Sequence, residues 1–450
     1  MPFRFGVVTL TRAPQCFVRV RIALADGRSQ WGAAAEVLAP KWFDKNQELS
    51  NEDNFDQLRL ALRLAADAYT DGKARTAFGH FAAHYDEQIK VGATRGLNSL
   101  VASYGPAQVD RAILDALFLS VGCSFYEGMR NNLAGIDPKL LGVRAADLAG
   151  LDMPRFLAQL APATSIDARH TVGLVDVIGG HPGQVGDGLP ESLEEVVATY
   201  GHRYFKLKVG GTVDADLARL VEIAAVLDRS SQPYFVSLDG NEQYTDIDAV
   251  LDFWRQMQKE PRLRRLITST LFIEQPITRS HALDNDVSSV SLVKPIIIDE
   301  SDDEFDAFPR ARRLGYDGVS SKCCKGLYKS IFNAARCAKW NSEVGASRYF
   351  MTGEDLTTQA GLAVQQDLAL VNLLGITHVE RNGHHYVNGM AGLPATEQAT
   401  FLTAHPDLYE HRHGAARLRI REGKLDIGSL AGKGFASGAY PNWETLRRMT

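Results

Sequence analysis

Residues 204–211, with the sequence YFKLKVGG, have the pattern of an interior strand that carries two lysines. Successive side chains of a strand point to opposite faces, so Lys206 and Lys208 leave this strand on the same face. The aromatic and β-branched neighbours are typical of an interior strand. Two interior ammonium groups need negative charge opposite them. The segment therefore predicts a charged site inside the protein.

Similar strand-like runs recur from about residue 168, the first being HTVGLVDVI at residues 170–178. They alternate with helix-like segments about eight times, which predicts an α/β fold of the TIM (β/α) barrel type. A doubly wound open sheet is the alternative. Residues 179–188, GGHPGQVGDG, lack the G-x-G-x-x-G phosphate turn that would favour it, and we expect them to form a loop at the barrel rim. Residues 1 to about 160 alternate strand and amphipathic-helix patterns and predict an α+β region.

Charged residues stand at the ends of five consecutive strand-like runs. Their spacing is close to the ~31-residue repeat of an eight-unit barrel, so each occupies the C-terminal mouth of its own strand. Barrel enzymes carry their catalytic residues at this mouth. The five residues are Lys208, Asp239, Glu274, Asp299 and Lys322.

The three carboxylates of this set predict a metal site. Asp239, Glu274 and Asp299 would repel one another unless a cation lay between them. Three oxygen ligands with room for water and substrate suit Mg²⁺, whereas zinc is disfavoured because no His or Cys occurs at these positions.

The predicted chemistry is abstraction of a proton next to a carboxylate. A metal on the substrate carboxylate would stabilise the enediolate that forms, and Lys208 and Lys322 would flank it as acid/base groups. Lys206 would lower the pKa of the neighbouring lysine through its charge. Alternatively, Lys206 only holds a salt bridge to a barrel acid such as Asp239.

These motifs resemble those of the enolase superfamily, and most closely its muconate lactonizing enzyme branch. The resemblance implies a site with a Lys or His base and one or two Mg²⁺ ions. KLKVGG at residues 206–211 is similar to the K-x-K-x-G motif of the second barrel strand. SSKCCKG at 320–326 is similar to K-x-x-K-G, which implies that Lys322 rather than Lys325 is the second acid/base.

The acidic motifs carry the same resemblance. SLDGNEQY at residues 237–244 matches a D-x-N strand end and places Asn241 beside the metal ligand. LFIEQP at 271–276 and IIIDES at 296–301 match E-Q-P and D-E-S motifs, and the second implies that Glu300 supports the site. A mandelate racemase-type site would instead carry a His after the seventh strand and an Asp on the sixth.

The resemblance leaves the substrate contacts open. The eighth strand, HVERNGHHY at residues 378–386, lacks the D-x-D motif of dipeptide epimerases. Arg381 or His384 could bind a distal group of the substrate, or Arg381 could pair with Glu380 at the rim. Glu354 and Asp355, after the seventh strand, have the same two interpretations.

The resemblance also implies a domain organisation. It predicts an N-terminal α+β capping domain over residues 1–160, a barrel over 161–390 and a C-terminal segment, 391–450, that packs back on the cap. Trp31 and residues 33–43 match the region that closes over substrate. The resemblance further implies a homo-oligomer.

Composition limits the partners. The net charge of −5 and pI near 6.2 disfavour nucleic acid or an anionic membrane as the main partner, and no apolar run is long enough for a membrane span. Five cysteines without a disulfide pattern and no signal-peptide pattern predict a cytoplasmic protein.

The expected partner is a small carboxylate substrate. Racemisation, epimerisation or cycloisomerisation is the preferred reaction, and β-elimination, as in acid-sugar dehydratases, is the alternative. A non-catalytic barrel that retains its metal and binds a ligand is a further hypothesis.

Overall fold

The computed structural model describes residues 3–5, 8–10, 14–183, 185–356 and 358–446. Its N-terminal region contains two antiparallel pairs: β1 (Phe3–Phe5) with β2 (Val8–Leu10), and β3 (Gln15–Ala23) with β4 (Ser29–Val37). The second pair is joined at residues 25–28, ADGR, a turn between two apolar runs whose pattern predicts a hairpin, and the structure confirms it. The strand-like run FGVVTLTR at residues 5–12 also predicts a strand, which lies partly outside the described residues.

Helices follow these strands and pack over them. They are α1 (Asn51–Tyr69), α2 (Ala77–Thr94), α3 (Ser99–Val121), α4 (Phe125–Arg130) and α5 (Met153–Ala158), with a 3₁₀ segment at Pro138–Leu148. Ser50 begins α1 in a capping box with Asp53, since each side chain accepts from the other's backbone N–H.

Helix α3 is longer than the amphipathic pattern at residues 108–122 predicts. It begins nine residues earlier and contains Pro106, which cannot donate a backbone hydrogen bond to the carbonyl of Ala102. The side chain of Gln88 donates to that carbonyl at 3.0 Å and also to Ala61. A partner on α2 therefore stabilises a helix that local sequence disfavours.

The centre of the described structure is a closed parallel barrel of eight strands. Each strand pairs with the next, and the last pairs with the first, which closes the barrel. The strands are β5 (Ser165–Val172), β6 (Tyr204–Lys208), β7 (Phe235–Asp239), β8 (Thr270–Glu274), β9 (Ile296–Ile298), β10 (Gly318–Ser321), β11 (Phe350–Gly353) and β12 (His378–Arg381). The barrel and the antiparallel N-terminal region confirm the predicted fold class.

The first barrel strand differs from its prediction. The pattern at residues 170–178 suggests a strand there, whereas β5 spans Ser165–Val172. Its position is set by two partners far along the chain, since β12 pairs with it in parallel and residues 424–426 pair with it in antiparallel register. Those partners do not appear in the local pattern.

Helices connect the strands and cover the outside of the barrel. They are α6 (Leu193–Tyr200), α7 (Val213–Leu227), α8 (Ile247–Lys259), α9 (Arg264–Ser269), α10 (Arg279–Ala282), α11 (Ser288–Ser291), α12 (Ala307–Arg313), α13 (Leu327–Val344) and α14 (Leu362–Leu373), with 3₁₀ turns at Pro261–Leu263 and Cys323–Lys325. The four longest of them are α7, α8, α13 and α14. Apolar periodicity in the sequence predicts the first three, and α14 lies in an apolar stretch between β11 and β12.

The C-terminal segment returns to both the barrel and the N-terminal region. The short helix α15 (Gly383–Tyr386) follows β12, and the C-terminal segment then contains α16 (Ala395–Ala404), β13 (Tyr409–Arg412), β14 (Ala415–Leu418), β15 (Ile420–Arg421), β16 (Lys424–Asp426) and a 3₁₀ turn at Gly428–Ala431. Phe435 stacks on Phe125 with ring centroids 3.8 Å apart, and the carboxylate of Asp115 in α3 accepts from Phe435 and Ser437. The domain boundaries at residues 160 and 390 stay predictions. No described helix is both long enough and apolar enough to cross a membrane.

Candidate active site

Lys206 lies at the centre of a cluster of carboxylates inside the barrel. Its ammonium group is buried and lies 2.8 to 3.1 Å from four carboxylate oxygens, on Asp239, Glu274, Glu354 and Glu380. Burial disfavours the charged lysine, but the four carboxylates outweigh that effect and raise the pKa of Lys206 well above its ordinary value. Lys206 therefore acts as a structural cation in this arrangement, and it is bonded to Asp239 among others.

Lys208 follows on the same face of β6, nearer the barrel mouth. Its ammonium donates to Asp239 at 2.5 Å and to the side-chain oxygen of Asn241 at 2.6 Å. Asn241 in turn donates to Glu300 at 3.1 Å. Asn241 and Glu300, the two residues expected beside the metal ligands, thus link Lys208 to the end of β9, the fifth barrel strand.

Lys322 occupies the corresponding place after β10. Its ammonium donates to Asp299 at 2.5 Å and lies 4.2 Å from the centroid of the Trp42 ring. Although burial opposes the charge of Asp299, the ammonium groups of Lys322 and Lys325 hold the pKa of that carboxyl below its ordinary range. These contacts favour the ionised form of Asp299.

Lys325 has a different environment from Lys322. Its ammonium donates to the backbone and side-chain oxygens of Ser320, both at 2.8 Å, and pairs with Asp302 at 3.2 Å. It also contacts Asp299 at 3.3 Å but, unlike Lys322, it does not line the cavity above the barrel. This geometry supports the choice of Lys322 over Lys325 as the group that faces the cavity.

The backbone at the strand ends is strained in the places that orient the acids. Asn241 and Gln275, just after β7 and β8, have φ values of 43° and 34°, in the left-handed region that is uncommon for these residues. The side-chain oxygen of Gln275 accepts from the backbone N–H groups of Asp299 at 2.8 Å and Ser301 at 3.1 Å. Gln275 therefore fixes the start of the loop that carries Asp299.

Glu274 carries the main indication that the site suits a cation. One of its carboxylate oxygens bonds to Lys206, and the other is buried without a hydrogen-bond partner. Burial, and after it the neighbouring Asp239 and Glu354, raise the pKa of Glu274 well above its ordinary value. A cation beside that oxygen would satisfy it and relieve the repulsion, so the donor set of Asp239, Glu274 and Asp299 fits Mg²⁺.

The three acids are not assembled into a compact triad in this arrangement. Among the described residues, the one group of three potential ligands whose ligand atoms lie within 4.8 Å of one another is His170, His202 and His384. Lysines explain the separation, because Lys206 and Lys208 bond to Asp239 whereas Lys322 and Lys325 bond to Asp299. Any bound cation would compete with these ammonium groups for the same oxygens.

A cavity opens above these groups. Its polar wall comes from the barrel and its apolar wall from the N-terminal region together with the loop after β11. The lining residues are Leu10, Ala39, Trp42, Lys206, Lys208, Asn241, Asp299, Lys322, Asp355, Leu356 and Glu380. Trp42 and Ala39 belong to the segment 33–43 that we expected over the substrate, whereas Trp31 lies on β4 and is about half exposed, at 47%.

The four predicted substrate contacts have different positions. Glu354 is buried between Lys206 and Arg169, below the cavity. Asp355 lines the cavity and pairs with Arg381 at 3.4 Å. Arg381 is fully buried and also pairs with Asp367 of α14, not with Glu380, so the structure does not place it at the cavity. His384 lines a separate pocket outside the barrel.

Three contributors to the site were not assigned from the sequence. Glu380 lines the cavity and bonds to Lys206, and Arg169 on β5 bonds to Glu354. Lys45 reaches from the N-terminal region to Glu242 and to the carbonyl of Asn241. The inward alternation of Arg169 with Thr171 on β5 is a signal that could have identified Arg169, but the strand was predicted five residues too late.

A closed (β/α)₈ barrel with a covering N-terminal region and facing lysines at its mouth defines a class of barrel enzymes. A family model described as "Enolase C-terminal domain-like" matches residues 188–436, more than half of the chain. The chain belongs to this family, within the enolase superfamily and of the muconate lactonizing enzyme/mandelate racemase type. No curated protein sequence matches the chain.

Solved structures agree with this fold at low sequence identity. A muconate lactonizing enzyme from Mycobacterium smegmatis, complexed with muconolactone, is 19% identical with a TM-score of 0.54 and covers 99% of this chain and 94% of its own. An enolase from Bradyrhizobium, complexed with magnesium and mandelic acid, is 15% identical with a TM-score of 0.59 and covers 99% and 92%. The L-Ala-D/L-Glu epimerase from Bacillus subtilis is 17% identical with a TM-score of 0.51 and covers 97% and 94%.

Proposed function

We propose that this chain is a Mg²⁺-dependent enzyme that removes the α-proton of a small carboxylate and returns a proton in a racemisation, epimerisation or cycloisomerisation. The observation that carries the proposal is the placement of Lys208 and Lys322. Lys208 ends β6 and Lys322 follows β10; these strands stand four positions apart in a ring of eight, and both lysines line the same cavity. Two acid/base groups on opposite walls can serve opposite faces of one substrate carbon.

Asp239, Glu274 and Asp299 would hold the Mg²⁺ ion. When bound, the ion takes up the negative charge that develops on the substrate carboxylate during proton removal. Residues of the chain itself position the groups that react and bind. Asn241 holds the ammonium of Lys208 at the cavity wall, and Gln275 holds the backbone of Asp299.

The cavity supports a small substrate with one charged and one apolar end. Lys208, Lys322 and Asn241 lie on the barrel side, whereas Leu10, Trp42 and Leu356 lie on the other side. Removing apolar substrate surface from water against these side chains favours binding, at about 25 cal/mol per Å². Hydroxy, amino and unsaturated carboxylic acids are the substrate classes that fit a cavity with one charged side and one apolar side.

The reaction common to these outcomes is exchange of the α-hydrogen with solvent. We would incubate the chain with Mg²⁺ in D₂O and a panel of such acids, including mandelate and muconolactone, and follow α-deuteration by NMR and mass spectrometry. Exchange that requires Mg²⁺, stops with chelator and is absent in a Lys208→Ala, Lys322→Ala double variant would support the proposal. Lys259, exposed at the end of α8, provides the matched Lys259→Ala control.

Exchange that continues in the double variant would contradict the assigned lysines. If one acid binds in a Mg²⁺-dependent manner without exchange or turnover, the barrel is a binding protein, which contradicts the proposal. Net loss of water from an exchanging substrate would replace isomerisation by β-elimination.

A further inference from the structure

A second cluster of buried titratable side chains lies on the other side of β5 from the carboxylates. Arg169 and Thr171 point into the barrel, where they bond to Glu354 and Glu380. His170 lies between them in sequence and therefore faces outward. It meets His202, from the loop before β6, and His384, from the short helix α15 after β12, with ring centroids 5.0 to 5.5 Å apart.

The hydrogen bonds of His202 leave one ring nitrogen available. Its Nδ1 lies 2.9 Å from the carbonyl oxygen of Ala168, which can only accept, so Nδ1 carries the proton. Its Nε2 is therefore a free lone pair, and it is buried without a partner. An imidazole whose other nitrogen donates to a backbone carbonyl is the arrangement that metal-binding histidines adopt.

His170 and His384 offer the other two nitrogens. Nδ1 of His170 and Nε2 of His384 face each other at 3.0 Å, close to the roughly 3.3 Å between two nitrogens on one tetrahedral zinc with ~2.0 Å bonds. One nitrogen from each of the three rings lies within 4.8 Å of the others. Nδ1 of His384 is also buried without a partner.

Burial favours the neutral form of all three rings, which is the form that metal ligation requires. Burial, and after it the neighbouring imidazoles, lower the pKa of His170 and His384 well below the ordinary value for histidine. Burial lowers the pKa of His202 to about 4. Proton competition for these nitrogens is therefore weak near neutral pH.

A pocket adjoins one member of the cluster, His384. This pocket lies between the loops of the barrel and the β13–β14 hairpin, and its wall includes Tyr200, Gly383, His384 and Arg417. A water molecule from this cavity could complete a tetrahedral set. Lys206 and the carboxylates lie inside the barrel and do not line this cavity.

From this geometry we infer that His170, His202 and His384 form a binding site for a divalent transition metal, Zn²⁺ by ligand chemistry, separate from the carboxylate site. Three imidazoles with an open fourth position suit Zn²⁺ and are unsuited to Mg²⁺, which prefers oxygen. The site ties α15 to β5 and to the loop before β6, which fixes the loop that follows the last barrel strand. The inference does not depend on the proposed function.

The test is Zn²⁺ titration of the chelator-stripped full chain in competition with a chromophoric chelator, with Mg²⁺ present in excess to occupy oxygen sites. One equivalent should bind per chain. His202→Ala and His384→Ala should weaken binding by at least the ~10–100-fold that loss of an outer partner costs a metal site. His181→Ala, which changes an exposed histidine paired with Glu195, and Glu274→Gln should leave Zn²⁺ affinity unchanged.

A second measurement keeps the test independent of how the variants fold. Co²⁺ added to the unmutated chain should give the intense visible absorption of a tetrahedral nitrogen site, and Zn²⁺ should remove it. A weak octahedral spectrum, no tight equivalent, or Zn²⁺ affinity that persists in the folded His202→Ala and His384→Ala variants would overturn the inference. Persistence in the variants would assign the metal to surface histidines.

Discussion

The interior of the barrel and the outer face of β5 both bury titratable groups, but they accommodate them by different means. Inside, Lys206 is charged and bonds to four carboxylates, so stability depends on matched opposite charges. Outside, His170, His202 and His384 lose their charge through burial. The interior can exchange one cation for another, whereas the outer cluster presents neutral nitrogen lone pairs. Alternate residues of β5 thus face two different surroundings: Arg169 and Thr171 bond to carboxylates inside the barrel, and His170 meets imidazoles outside it.

Removing the cavity lysines should have the largest effect on the interior. We expect Lys208→Ala or Lys322→Ala to lower the rate of α-hydrogen exchange by about 10²–10⁴-fold, since each removes a general acid/base. Exchange followed by NMR in D₂O measures it. Lys259→Ala should retain the full rate, and equal rates in all three variants would contradict the assignment.

Removing the ammonium group of Lys206 should destabilise the fold, because the negative charges around it are then unbalanced. Lys206→Met leaves four buried carboxylates without the ammonium that they share, and we expect a loss of about 3–5 kcal/mol in the free energy of unfolding. Urea denaturation measures the loss, with Lys90→Met on the exposed face of α2 as the control. A second change, Glu354→Gln, should recover part of it. A neutral effect of Lys206→Met would show that the cluster does not depend on this cation.

Replacing Glu274 should affect the interior metal while sparing the fold. Glu274→Gln keeps the shape but removes a ligand charge, and we expect weaker Mg²⁺ binding and exchange slower by roughly 100-fold, since a catalytic metal contributes several kcal/mol. Without Mg²⁺, the variant should change the free energy of unfolding little, because burial and the neighbouring acids already disfavour the charged form of Glu274. Calorimetric Mg²⁺ titration measures the binding, with Glu87→Gln on α2 as the control. Unchanged Mg²⁺ affinity would exclude Glu274 as a ligand.

The effect of added Zn²⁺ on the free energy of unfolding should distinguish the outer histidine cluster from the interior of the barrel. Zn²⁺ at 100 times its dissociation constant should raise the free energy of unfolding by about 2.7 kcal/mol through preferential binding to the folded state. The gain should vanish in His384→Ala and persist in His181→Ala. Denaturant titration with and without Zn²⁺ checks this, and an equal gain in both variants would place the metal elsewhere.

Much of the interior site could be predicted from the sequence because strand geometry is local. Side-chain alternation places Lys206 and Lys208 on one face, and the strand-end positions of Asp239, Glu274 and Asp299 follow from the barrel repeat. The capping box at Ser50 and the hairpin at ADGR are equally local. For these features, the residues that determine the structure are neighbours in the chain.

The sequence by itself thus determined the barrel, the hairpin of the N-terminal region and the residues at the strand ends. Tertiary structure alone decided that Lys206 bonds to four acids, that Arg381 pairs with Asp367 instead of facing the cavity, and that Gln88 supports the carbonyl freed by Pro106. It also decided that His170, His202 and His384, spread over more than 200 residues, meet on one face of β5. The reason is physical: buried charges and lone pairs take the partners that folding brings within hydrogen-bond distance, and sequence separation does not limit which partners those are.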